Sequence, residues 1–252
     1  MYAFRAAYRN EAGKIIRRKK YIVFLIIGII ICLLWAVIGG LLAGQLGRVM
    51  GLAIVLAPSP MGVLPFFLQI LLPMLIFMGM TDLITTEGAE HTMKAMICRP
   101  VERWKLYAAK QLGVMTYVAL YLACIFTVSA LLNQTMGRGL SAAGLIEAFA
   151  SYALTLPTLA VLAAFAALIA LLGRSGSLIM FLLVVVYLVM SVLPVFFPIL
   201  SELLFTSFLG WHRLWIGVLP GASRLLHMMI IVGGYGVVFF MAGSLVFDRK
   251  EY

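Results

Sequence analysis

The chain has 252 residues, 64% hydrophobic and 11% charged, with a mean hydropathy of +1.12. Soluble domains carry about 25% charged residues, so a soluble globular fold is excluded. The net charge of +10 is no sign of nucleic acid, because the basic residues flank apolar runs, where membrane orientation and anionic lipid account for them.

In chain order, residues 1–20 come first. Tyr2, Phe4, Ala7 and Tyr8 interleave with Arg5, Arg9 and Lys14, a pattern that predicts a short amphipathic helix on the inner membrane surface. Six apolar runs follow, at about residues 21–42, 64–84, 112–132, 153–172, 178–197 and 225–247. Each approaches the roughly 20 residues a crossing helix needs. Backbone polar groups in lipid require helices or a closed barrel, and these runs lack the alternation of barrel strands. The expected fold is therefore an all-α integral membrane protein with six transmembrane helices in a single domain, residues 1–252.

The first run is too long for the apolar core of a signal peptide, so it is expected to remain as a helix. Residues 198–224 stay rich in Leu, Phe and Trp but are broken by Gly210, Gly217 and Pro220. They are too short for two more crossings, so an outer re-entrant or capping segment is expected. Fifteen of the 19 Lys and Arg residues fall before the first run, between the second and third, between the fourth and fifth, and in the tail. The positive-inside rule then places both termini in the cytoplasm.

Residues 82–110 form the only long polar island. They hold Asp82, Glu87, Glu90 and Glu102 together with Lys94, Arg99, Arg103, Lys105 and Lys110. Within it, residues 88–97 carry Thr92, Met93, Met96 and Ile97 at helical spacing, with acids near the start and bases near the end. Pro100 stops that helix and can open the next, whose N-terminus Glu102 favours. A short surface helix between two spans, with an apolar face too small for a core, suits docking into a groove on a partner. Glu87 and Arg103 read as polar positions whose removal leaves folding intact.

These residues resemble a family. Glu87, Thr92, Pro100-Val101, Arg103 and Lys110 stand at the spacings of a motif found between the second and third spans of type-two ABC exporter permeases. The likeness is to the compact permeases of about 250 residues that export drugs, peptide antibiotics or ions. Two positions depart from the pattern: His91 replaces a glycine, and Glu102 a small polar residue.

The resemblance implies a non-catalytic permease with residues 85–110 as a cytoplasmic coupling region. Glu87, Gly88, Glu90, His91, Thr92, Lys94, Met96, Pro100 and Arg103 would form the coupling contacts. It also implies a cytosolic ABC ATPase in two copies, with ATP and magnesium bound there and none here. A second permease, identical or related, would complete a dimer in the cell membrane, moving a hydrophobic or amphipathic substrate outward.

Independently, the sequence contains no phosphate-cradling G-x-x-x-x-G-K-[ST] loop. Cys32, Cys98 and Cys124 have no metal-like spacing, and His91, His212 and His227 are far apart. The rival readings are a lipid-modifying membrane enzyme, which needs a polar cluster at one membrane face, and a non-transporting assembly or sensor subunit.

Overall fold

The computed structural model describes residues 2–45, 59–89, 102–135, 141–215 and 222–250. The described residues are helical almost throughout, and six helices are long and apolar enough to cross a membrane. An N-terminal helix, Tyr2–Arg17, precedes span one, Lys19–Gln45. Span two runs over Pro60–Thr86, span three over Arg103–Thr135 and span four over Ala142–Leu172. Span five is Gly176–Phe196, and the last helix, Ala222–Arg249, carries span six.

Spans two and four are the most buried, and spans one, five and six form most of the flank. Small side chains let span four sit at the centre. Ala163, Ala166, Ala167 and Ala170 are all buried, so neighbouring backbones approach closely. Span four packs against spans two, three, five and six. Two glycines admit aromatic rings. Gly28 of span one faces the Tyr121 hydroxyl of span three, and Gly243 faces the Tyr107 hydroxyl, so a β-carbon at either place would collide.

Span two is not a uniform α-helix. It opens as Pro60–Phe66, with Ser59 capping Gly62, passes through a π-helical turn at Phe67–Leu71, and resumes as Leu72–Met80. A second π-helical segment, Thr81–Thr86, leads into the short helix Glu87–Ala89. The first irregularity has a local cause. Pro73 has no N–H to give to the Gln69 carbonyl four residues back, and from span five the Tyr187 hydroxyl donates to that carbonyl at 2.9 Å. Span five repeats the device. Pro194 cannot serve the Met190 carbonyl, and the Thr206 hydroxyl donates to it at 3.1 Å.

Thr206 belongs to a 3-10 segment, Phe205–Trp215, reached through the short helix Leu200–Leu203. This stretch is not a further crossing. Phe205 packs against Phe165 of span four and Phe239 of span six, and the Trp211 indole donates to the Leu154 carbonyl. Leu154 precedes Phe165 by eleven residues, roughly 16 Å along an α-helix, so the segment rises along span four from a deep starting point. Of the rest of the expected 198–224 segment, residues 216–221 lie outside the described residues and 222–224 already belong to the last helix.

Span three begins earlier than hydropathy places it. Its helix starts at Arg103, and the Glu102 carbonyl accepts from the N–H groups of Lys105 and Leu106. The nine residues ahead of Leu112 include Arg103, Lys105 and Lys110, which depress an averaged hydropathy although the helix continues through them.

Candidate functional site: a charged joint at the root of the island

The N-terminal helix turns Tyr8, Glu11 and Ile15 toward one side. These positions are three and four apart and so share a face. That face packs on span three, where Ile15 and Glu11 are almost wholly buried. Gly113 makes the approach possible, because its missing β-carbon would sit 3.3 Å from the backbone of Glu11 and Ala12. Lys110 lies one helical turn before Gly113, so the helix that seats on the glycine meets the lysine as well.

Lys110 is fully buried and donates to Glu87 Oε2 at 2.6 Å and to Glu11 Oε2 at 3.2 Å. Lys14 donates to Glu11 Oε1 and to Glu87 Oε1, both at 2.9 Å. Each carboxylate thus gives one oxygen to each ammonium, closing a ring of alternating charge. Desolvating one such ion costs several kcal/mol, and only near-complete pairing offsets it. The ring supplies that pairing.

A second cluster adjoins it. Asp82 pairs with Arg18 at 3.3 Å and with Lys20, and it accepts from the Tyr21 hydroxyl at 2.7 Å. The Tyr117 hydroxyl of span three then donates to the Tyr21 carbonyl at 2.6 Å. Arg18 also reaches Glu87 at 3.9 Å and links the two clusters. The π-helical segment explains why one span serves both. Asp82 and Glu87 are five apart, a separation that an α-helix splays widely and an i to i+5 repeat brings toward one side.

Burial raises the affinity of the Glu87 carboxyl for its proton. Lys110 and Lys14 outweigh that, and hold it below its ordinary value of 4.5. For Lys14 the balance is similar. Burial favours the neutral amine, but Glu11 and Glu87 together raise its pKa above 10.5.

The positions singled out in the sequence separate here. Glu87 and Lys110, the two ends of the motif, meet directly, with Gly88 beside them in the short helix. Glu87 is only 4% exposed, which corrects the expectation of a solvent-facing residue that folding can spare. Arg103 goes elsewhere: its guanidinium donates to the Asp248 carbonyl at 2.6 Å, at the end of span six. Glu90, His91, Thr92, Lys94, Met96 and Pro100, with all of the expected 88–97 helix beyond Ala89, lie outside the described residues.

The sequence reading missed Glu11, Lys14 and Asp82 as partners. A signal was present, for Glu11 is the lone acid in a strongly basic segment, with Lys14 three residues on and Ile15 four. Among the described residues, no group of three or more His, Cys, Asp or Glu side chains is placed to hold a metal ion.

Six membrane-length helices around a small-residue centre, with a polar segment rooted in a buried charge cluster at one end, define a multi-pass helical membrane protein. The family follows from sequence comparison. The chain matches the model described as "ABC-2 family transporter protein" over residues 9–191, and it belongs to that family. The matched stretch contains every residue of the two charge clusters. It is therefore an ABC permease subunit of a kind that is typically non-catalytic and works with an ABC ATPase. No curated protein matches the chain.

Proposed function

We propose that the chain is the membrane half of an ATP-driven exporter, that residues 85–110 engage a cytosolic ATPase, and that two permeases enclose the path. The substrate is hydrophobic or amphipathic, because no charged side chain among the described residues lies deep within a span. The charge clusters sit at one end of the bundle.

One observation carries this reading. The two ends of the motif, Glu87 and Lys110, are bonded to each other at 2.6 Å, and the N-terminal helix is bonded to both. A push on the island would therefore move span two, span three and the N-terminal helix as one body. A floppy connector would absorb the same push. ATP-driven closure of the ATPases would in this way tilt the spans that flank the path.

The test is co-purification of the chain with a candidate ABC ATPase from the same genome, followed by ATP turnover in lipid discs. The complex is expected to hydrolyse ATP, with the rate responding to a panel of amphipathic compounds. Removing residues 90–99 should abolish binding of the ATPase. An ATPase that binds the truncated chain as tightly as the intact one would refute the assigned role of the island.

A further inference from the structure

The end of the bundle away from the charged joint holds a cavity of about 590 Å³ between span two, span five and the 3-10 segment. That volume is in the range of small-molecule sites, roughly 300–1,000 Å³. Polar groups converge on it from all three walls: Gln69 from span two, Tyr187 and Ser191 from span five, and Thr206, Ser207 and His212 from the 3-10 segment. Gln69 lies thirteen residues before Asp82, roughly 20 Å along the helix axis.

The walls are built where regular helix is interrupted. Pro65 and Pro194 both line the cavity, and the π-helical turn at Phe67–Leu71 passes through it. The carbonyls of Gln69 and Met190, which Pro73 and Pro194 cannot serve, are met by Tyr187 and Thr206 from neighbouring elements. Irregular backbone at membrane depth is tolerated where it is buried in protein or lines a cavity, and single π-turns within helices frequently mark functional sites. Gln69 is an exposed amide on an otherwise apolar span, and Ser191, whose hydroxyl donates to the Tyr187 carbonyl at 2.8 Å, still presents its oxygen as an acceptor.

Among the described residues lining the cavity none is Asp, Glu, Lys or Arg, and the titratable His212 is buried at 3% exposure, so an ionic head group would meet no carboxylate, ammonium or guanidinium among them. Apolar surface completes the walls. Ile70 and Leu188, at the rim, are about half exposed on the flank of the bundle, where acyl chains would lie.

We infer that this cavity is a binding site within one subunit for the uncharged, hydrogen-bonding head of an amphipathic molecule whose apolar tail leaves between spans two and five. The site does not depend on the island engaging an ATPase. Its head group is of the hydroxyl or amide type, met by Gln69 and the serines, and its tail runs along Ile70 and Leu188.

The full-length chain in phosphatidylcholine discs is irradiated with three probes of equal chain length, each with a diazirine near the head. They are a monoacylglycerol, the matching fatty acid and the matching alkyl trimethylammonium. The monoacylglycerol is expected to label peptides spanning residues 187–194 and 201–212 in preference to the two ionic probes. Gln69→Leu, which removes one hydrogen-bonding partner without filling space, should weaken that labelling about tenfold. Ser191→Phe should abolish it, provided the variant unfolds thermally like the parent.

Labelling that spreads over the exposed flank positions Phe181 and Val185, with no response to Gln69→Leu, would overturn the proposal. So would equal labelling of the cavity by the fatty acid. Repeating the experiment in the ATPase complex during turnover separates a resident lipid, which stays, from a transported amphipath, which is depleted. A failed ATPase complex would leave the labelling result intact, so this site and the exporter reading stand or fall separately.

Discussion

At the scale of single residues, Lys110 decides more than its place at the end of a motif suggests. It is the buried cation between two buried carboxylates. Lys110→Met would leave both carboxylates short of a partner, and breaking a buried pair in this way typically costs about 3–5 kcal/mol. Denaturation in detergent should show that loss, whereas Arg103→Ala, at a partly exposed site with a single hydrogen bond to the Asp248 carbonyl, should cost about 1 kcal/mol. Equal stabilities for the two variants would mean that water enters the joint and screens the ring.

The pH response follows from the signs of the shifts. Glu87 is held below 4.5, so its contribution is present above that pH and lost as pH falls through the lower folded value. Lys14 is raised above 10.5, so its contribution is complete below 10.5 and lost as pH climbs through the higher folded value. Limited proteolysis of the N-terminal helix should therefore be constant between about pH 5.5 and 9.5, roughly one unit inside those limits, and should speed up on both sides. Release of the helix within the neutral window would contradict the ring.

At the scale of elements, the prolines of spans two and five are tied to hydroxyls on other helices. Thr206 serves a carbonyl that Pro194 leaves unserved. Thr206→Val is expected to destabilise by about 1 kcal/mol, the usual net worth of a hydrogen bond. In a Pro194→Ala background, where the helix supplies its own N–H, the same change should cost much less. A double-mutant cycle measures the difference, expected at about 1 kcal/mol of coupling. Additive effects would show that Thr206 only fills space.

At the scale of the whole molecule, the basic residues and the charged joint imply one orientation. Single cysteines are introduced at Ser175, in the link between spans four and five, and at Ser141, ahead of span four, in a variant lacking Cys32, Cys98 and Cys124. In intact cells a membrane-impermeant thiol reagent should label the cysteine at 141 and spare that at 175. The reverse pattern would invert the topology and place the island outside.

The sequence by itself determined the class, the number of spans and the family. All three depend on composition and on spacing along the chain: apolar runs of crossing length, and a motif from Glu87 to Lys110 that reads without knowledge of contacts. Hydropathy alone set the start of span three nine residues late, at 112, because it averages over Lys105 and Lys110 as though both met water. One of these lysines is fully buried, its charge neutralised by partners 99 and 23 residues away. Pro100 and Glu102, by contrast, marked the opening of that helix close to Arg103, where it begins. Only the tertiary structure joined Glu11 to Lys110, because that contact depends on Gly113 admitting another helix. Only the tertiary structure brought Gln69, Tyr187 and Thr206 around one cavity, because their common cause, carbonyls left unserved by Pro73 and Pro194, is met from elements distant in sequence.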